Sequence, residues 1–250
     1  MDNGINVIGY APILDEGKYL DGWIKNIRYF VDVVYALYDP RSTDNTLDVL
    51  QQNVEKYKDS NCPVHIWMQD PTLTDSYRGH KGPNKELSYR ANVNKFLEEI
   101  VPMDGWSMWL AADERLNPHQ LDLYNEFLFH AEYAGYDAIV FDFYECYPDI
   151  NHYVNYLAIY GYLLHRKLVK RTPNYRYHLT PHSGYDGGQN WVKSNLQFFH
   201  FGHLKGDIYL NWWRHGNGLD VMGDVPEDKR WIPFKNPFKD WVLGELEDEL

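Results

Sequence analysis

Cysteine is scarce and carries no pattern. Cys62 and Cys146 lie far apart, without a Cys-x-x-Cys pair or the spacing of a zinc site, so neither a disulfide framework nor a structural zinc is indicated. Basic residues are also in short supply. The 24 Lys and Arg stand against 36 Asp and Glu, and the formal net charge of −12 repels a phosphate backbone, which argues against nucleic acid as a partner. No apolar run approaches the length of a transmembrane span, and Met1-Asp-Asn-Gly-Ile5 has neither a basic nor an apolar leader region. A soluble, cytoplasmic protein is expected. Internal repeats and low-complexity linkers are missing too, and 250 residues suit one large domain spanning 1–250.

What the chain has in excess is aromatic side chains: 9 Trp and 21 Tyr, with aromatics at 16% overall. Such faces stack on sugars or bases, and they also fill half-buried packing positions. The apolar periodicity points to an α/β protein. Ile5-Asn-Val-Ile-Gly-Tyr10 reads as a buried strand broken by Ala11-Pro12. Leu20, Trp23, Ile27 and Phe30 recur at helical spacing, and Val31-Asp-Val-Val-Tyr-Ala-Leu-Tyr38 is a second apolar strand. Strand, helix, strand is a βαβ unit, whose crossover implies parallel pairing.

The polar loop Asp39-Pro-Arg-Ser-Thr-Asp-Asn-Thr46 offers capping groups for a helix carrying Leu47, Leu50, Val54 and Tyr57. Pro63-Val-His-Ile-Trp-Met68 is a third strand, followed by a long polar loop from Gln69 to Lys85 and a helix with Tyr89, Val93, Phe96, Leu97 and Ile100. Trp106-Ser-Met-Trp-Leu-Ala-Ala-Asp-Glu-Arg-Leu116 reads as a buried strand ending in two carboxylates, Asp113 and Glu114. Acids at the C-terminal mouth of a parallel sheet, where α/β proteins place ligands, suit a divalent cation and the diphosphate it carries. Asn117-Pro118 starts the next helix and Gly135 stops it. Beyond, Asp137–Tyr144 is a strand, a helix is expected within Tyr147–Leu168, and two strands over Arg176–Thr180 and Leu196–Phe201 flank the loop Pro181–Gln189.

Three segments in this order resemble family 2 glycosyltransferases of GT-A fold: Ala11-Pro-Ile-Leu-Asp-Glu16, Asp39-Pro-Arg-Ser-Thr-Asp-Asn-Thr46 and Trp109-Leu-Ala-Ala-Asp-Glu-Arg-Leu116. The family's usual forms are Pro-x-x-Asn-Glu, Asp-Asp-Gly-Ser-Thr-Asp-x-Thr and Asp-Ala-Asp-Glu. Arg166-Lys-Leu-Val-Lys-Arg-Thr-Pro173 with Thr180-Pro-His182 resembles the family's basic strand leading to a histidine, and Phe199-His-Phe-Gly-His203 a segment near its end.

The resemblance implies a Rossmann-like, mostly parallel sheet flanked by helices, with a less regular C-terminal part. Residues 1–116 would be the nucleotide-sugar half and 117–250 the acceptor half and tail. It implies transfer of a sugar from a nucleotide diphosphate donor to a glycan or glycoconjugate acceptor. In this reading Asp39 holds the base or ribose, Pro12 and Glu16 line the same pocket, and Arg90 faces the donor phosphates. Asp113 binds Mn²⁺ or Mg²⁺ and His200 completes the coordination; one imidazole among oxygens favours Mn²⁺.

Two positions depart from the family's pattern. Ala111 stands where the metal motif has its first aspartate, which leaves room for a chain that binds sugars or a partner without turnover, and Asp15 replaces an asparagine. The resemblance implies inversion, which asks for a carboxylate base, and both Asp186 and Glu145 are candidates. Plainer accounts stand beside each residue. Asp113 suits a helix-capping acid, Asp186 and Glu145 suit surface acids, Arg90 suits a solvated helix face, and His200 suits packing among Phe198, Phe199 and Phe201. Tyr209, Trp212 and Trp213 would serve either as an acceptor platform or as ordinary packing.

Overall fold

The computed structural model describes residues 5–73, 89–146, 152–154, 164–177, 185–186, 190–201 and 231–233. In chain order the elements are β1 (Val7–Ile13), α1 (Gly17–Ile27), β2 (Val33–Tyr38), α2 (Thr46–Tyr57), β3 (Val64–Met68), α3 (Tyr89–Ile100), β4 (Trp106–Trp109) and β5 (Glu114–Leu116). They continue with α4 (Leu121–Ala134), β6 (Ala138–Glu145), β7 (His152–Val154), β8 (Leu164–Lys170), β9 (Arg176–Tyr177), β10 (Tyr185–Asp186), β11 (Trp191–His200) and β12 (Trp231–Pro233). The class is α/β, as the strand and helix periods imply. Eight strands form one sheet in the order β3-β2-β1-β4-β8-β6-β11-β5. Pairing is parallel through β3-β2-β1-β4 and between β6 and β11, and antiparallel where β8 meets β4 and β6 and where β5 meets β11.

The alternating faces of β1 and β2 set the layers. Val7, Ala11 and Ile13 with Val34 and Ala36 pack in the same core as Trp23 and Ile27 of α1, Leu50 of α2, and Tyr124 and Leu128 of α4. Ile8, Tyr10 and Leu37 pack in a second core with Val93, Phe96 and Leu97 of α3. Gly9 lets the first interface close tightly: a Cβ there would lie 2.8 Å from Ile27 Cδ1 and 3.0 Å from Val31 Cγ2, so these side chains would have to shift.

Two expectations are corrected. The run from Trp106 is not one strand ending in two acids: β4 stops at Trp109, Asp113 sits in a turn, and Glu114 opens β5 on the far edge of the sheet. Four strand spacings of about 4.8 Å separate β4 from β5, more than the roughly 17 Å that five residues can span, so the sheet must curl to bring its ends together. The helix expected within Tyr147–Leu168 is, where described, strand: β7 and the first part of β8. Leu168 and Val169 of β8 are both fully buried, on opposite faces. A strand covered on both sides loses the alternation that distinguishes it from a helix. The strand expected from Leu196 begins earlier, at Trp191, and β10 lies inside the segment read as the loop Pro181–Gln189.

Candidate functional site at the sheet's C-terminal edge

From β1 the chain crosses to β2 on one side, while β4 joins on the other, which makes the β1/β4 boundary a topological switch point of the kind that opens a ligand crevice. The local chemistry shows how it opens. The pairing of β1 with β4 ends at Tyr10 and Trp109, although β1 continues beside β2 to Ile13. Tyr10 O accepts from Leu110 N–H on the β4 side, and Ile13 O accepts from Asp39 N–H on the β2 side. By alternation Pro12 faces β4, where it has no N–H to extend the ladder.

Two groups of residues border this opening. The first joins the end of β1 to the loop before α2. Asp15 takes a positive φ of 53°, and its Oδ1 accepts from Thr43 N–H at 2.6 Å. Its own N–H donates to Ser42 Oγ, and Glu16 N–H donates to Thr46 Oγ1 at 2.9 Å. Asp44 accepts from the first amides of two helices, Gly17 N–H at 3.0 Å and Thr46 N–H at 2.9 Å. Partial burial pushes the Asp44 carboxyl up, but the bonds from Thr46 and Gly17 outweigh it and hold the group below its ordinary value. The capping expected of this loop is therefore done by Asp44, because Asn45 at the N-cap position makes no side-chain cap bond. Asp39 is buried at the end of β2. Its carboxylate accepts from Arg41 three times: backbone N–H at 3.0 Å, Nε at 2.9 Å and Nη2 at 2.6 Å. Burial alone would raise the Asp39 carboxyl; Arg41's bonds and charge hold it low.

The second group is the turn Ala111–Glu114. Its two carboxylates diverge. Glu114 accepts from Lys167 Nζ of β8 at 2.7 and 2.6 Å and from Ala111 N–H at 2.8 Å, and both side chains of the ion pair are about nine-tenths buried. Asp113, also buried, brings Oδ2 to 3.3 Å from His200 Nε2 at the end of β11, while its backbone oxygen accepts from Phe201 N–H. Helix α1 fixes this turn from below: Trp23 Nε1 donates to Leu110 O at 2.7 Å, Asn26 bonds both polar groups of Leu116, and Arg115 donates to Tyr19 O.

The structure thus brings together Asp113 and His200, residues 87 positions apart by subtraction of their numbers. Glu145 stands in register with His200 on β6, so its backbone belongs to the same level of the sheet. Asp186 stands in register with Arg176 in the small β9–β10 hairpin, outside the central sheet. Arg90 is the second residue of α3, and Pro12, Glu16 and Asp39 lie along the β1 and β2 ends. His182, His203, Tyr209, Trp212 and Trp213 fall outside the described residues. Sequence reasoning missed three contributors: Lys167 as the partner of Glu114, Arg41 as the partner of Asp39, and Asn92, which bonds the backbone of Asp70 at the end of β3 in both directions. Only Arg41, two positions from its acid, lay close enough to suggest itself.

Among the described residues no group of three or more His, Cys, Asp or Glu is placed to hold a metal ion. Asp113 and His200 nevertheless fit as two donors. Ligands at right angles on an ion with bonds of about 2.1 Å lie about 3 Å apart, close to the observed 3.3 Å, and Mg²⁺-type ions routinely take one or two protein ligands with substrate phosphates and water.

No protein-family model matches the chain, and no curated protein does. Among solved structures it is similar to Staphylococcus aureus TarS 1–349, at 17% identity over 57% of this chain and 37% of that one, with a TM-score of 0.39. It is also similar to mannose-6-phosphate isomerase from Helicobacter pylori, at 11% identity over 60% of this chain and 55% of that one, with a TM-score of 0.37. The chain spans well under two thirds of the length of either. Similarity at this level carries no argument about activity. No described helix is long and apolar enough to cross a membrane.

Proposed function

We propose that the chain transfers a sugar from a nucleotide diphosphate donor to a glycan or other carbohydrate-like acceptor. The observation that carries this reading is the Asp113–His200 pair, a buried acid on a clamped turn meeting a half-buried imidazole at the end of β11, at the C-terminal edge of the sheet beside the opening between β1 and β4. In this reading the ends of β1 and β2, with Pro12, Glu16 and Asp39, bind the nucleoside, and Arg90 at the start of α3 takes the phosphates. Asp113 and His200 hold Mn²⁺ or Mg²⁺, which when bound neutralises charge on the departing diphosphate. A carboxylate then removes the proton of the acceptor hydroxyl. Glu145, the register partner of His200, is favoured over Asp186 for that role because its strand ends at the same edge.

Calorimetric titration of nucleoside diphosphates with and without Mn²⁺ tests the proposal. Metal-dependent binding is expected, weakened at least tenfold by Asp113→Ala and less by His200→Ala. Affinity that ignores both the metal and Asp113→Ala for every diphosphate sinks the reading. The second reading is a sugar- or partner-binding protein without turnover. It is favoured by Ala111, whose side chain offers no carboxylate and whose N–H is already engaged by Glu114. Metal-dependent nucleotide binding with no transfer or hydrolysis of any donor would select it.

A further inference from the structure

The Glu114–Lys167 pair adjoins both of the proposed metal donors. Glu114 follows Asp113 directly in the chain and stands opposite His200 in the β5–β11 ladder. Asp113 O accepts from the N–H of Phe201, the residue after His200, so the two donors are laced together through the backbone around Glu114. The turn that carries Asp113 also closes at Glu114, whose N–H donates to Ala111 O at 2.9 Å and whose Oε2 accepts from Ala111 N–H at 2.8 Å. Lys167 of β8 fixes that carboxylate, with Nζ at 2.7 and 2.6 Å from its two oxygens. The ammonium lies 4.4 Å from the ring centroid of Phe198, on the same strand as His200, and 5.6 Å from that of Trp109, where β4 ends. To reach β5 the chain must cross from β4 past β8, β6 and β11, and Lys167 ties the end of that crossing to the strand beside its start. Both side chains are buried, so parting them would leave neither with water to replace its partner, and the tie resists displacement.

We infer that Lys167 is a positioning residue for the metal: acting through Glu114, it holds the Asp113 carboxylate and the His200 imidazole at the spacing a divalent cation requires. This inference rests on the reading of Asp113 and His200 as metal donors. A site with two protein donors has little protein shell to compensate for a misplaced one, and a ligand pair loses its fit when either member moves by more than about 0.5 Å. Groups standing behind the ligands commonly contribute about 10–100-fold in metal affinity. Charge acts in the opposite direction. Loss of Lys167 alone leaves a buried acid without its cation beside the metal, which attracts the ion more strongly. Replacing both members of the pair leaves the local charge unchanged and so isolates positioning.

The experiment is a titration of Mn²⁺ into the full chain, followed by the EPR signal of the free ion, alone and with UDP or GDP. It compares the wild type, the double variant Lys167→Met, Glu114→Gln, and Glu114→Asp, with thermal melts of each. Asp113→Ala identifies which of the bound Mn²⁺ is held at this site. In the double variant glutamine still accepts from Ala111 N–H, so the turn stays closed and its tie to β8 is lost. Its affinity for Mn²⁺ is expected to fall about tenfold at a temperature where its melt shows it folded. Glu114→Asp keeps the charge but is one methylene too short to reach Ala111 N–H and Lys167 Nζ together, and the same loss is expected. It carries the test if the double variant folds poorly. Affinity within about twofold of the wild type in either folded variant, whatever its melting temperature, overturns the inference and leaves the transferase reading intact. The pair would then hold the turn folded without setting the metal site. A wild type that binds no Mn²⁺ under any of these conditions, or whose binding ignores Asp113→Ala, overturns the reading of Asp113 and His200 as metal donors and this inference with it.

Discussion

The two groups of residues bordering the opening are built on different physics. On the β1/β2 side, Asp15, Ser42, Thr43, Asp44 and Thr46 bond mainly to backbone N–H groups, in a half-exposed loop where each bond is modest in net worth. On the β4/β5 side the turn is held by a buried ion pair, Glu114–Lys167, and by a buried Arg115 donating to Ala112, Glu114 and Tyr19 carbonyls. The contrast shows how motif acids divide their labour. Asp44 and Glu114 are structural, Asp39 is closed by Arg41, and Asp113 is the acid whose carboxylate meets another ligand-type side chain.

The contrast breaks first at the ion pair. Lys167→Met leaves the Glu114 carboxyl buried without its cation, with Lys167 Nζ also lost from above the Phe198 ring at 4.4 Å. Removing one member of such a pair costs about 3–5 kcal/mol. Urea denaturation should show a loss of that size, and the double variant Lys167→Met, Glu114→Gln should recover much of it, since glutamine still accepts from Ala111 N–H. A single variant within about 1 kcal/mol of the wild type would show that the pair is not what holds the turn. The corresponding break on the other side is Gly17→Val. A Cβ at Gly17 would lie 2.1 Å from Asn45 Oδ1, which can swing aside, and 3.0 Å from the backbone nitrogen of Thr46, which cannot. The expected cost is about 1–3 kcal/mol by the same measurement.

Much of the β1/β2 side was legible in the sequence, because its elements are long, periodic and bounded by Pro and by polar caps. Leu20, Trp23 and Ile27 mark the buried face of α1, and Leu50 that of α2, as their spacing implies. The acid side was less legible. A short strand such as β5 leaves no period to read, and its three residues include a buried Glu and a buried Arg, the types least expected in a core. Their burial depends on Lys167, 53 residues later, and on backbone carbonyls that only the fold supplies. The Asp113–His200 meeting depends likewise on the curl that brings β4 near β11, and no local signal carries it.

A smaller effect separates geometry from hydrogen bonding within the polar loop. Asp15→Ala removes the acceptor for Thr43 N–H and puts a residue with no local side-chain bond at φ 53°, for an expected loss of about 1 kcal/mol in urea denaturation. Asp15→Asn retains both an acceptor and tolerance of that conformation and should stay within about 0.5 kcal/mol of the wild type. A loss for asparagine equal to that for alanine would mean that the negative charge, and not the acceptor, matters at this position.

The smallest expected effect is also the one whose sign discriminates best. Asp39 and Asp44 are both held below their ordinary 3.8, so between the folded value and 3.8 the unfolded chain binds more protons than the folded one. Stability from these groups is present above that window and is lost as pH falls through it. The urea midpoint should therefore drop as pH falls below about 4, and Asp44→Asn should flatten part of the drop. Arg41→Ala should act on it without touching a carboxylate. It removes two of the three bonds to Asp39 and the opposing charge, leaving burial, which favours the neutral acid, against the single backbone N–H of residue 41. The Asp39 share of the acid drop should then vanish or change sign. An acid slope unaltered by Arg41→Ala would mean that the guanidinium does not control the Asp39 carboxylate, and the end of β2 would have to be treated as an open acceptor after all.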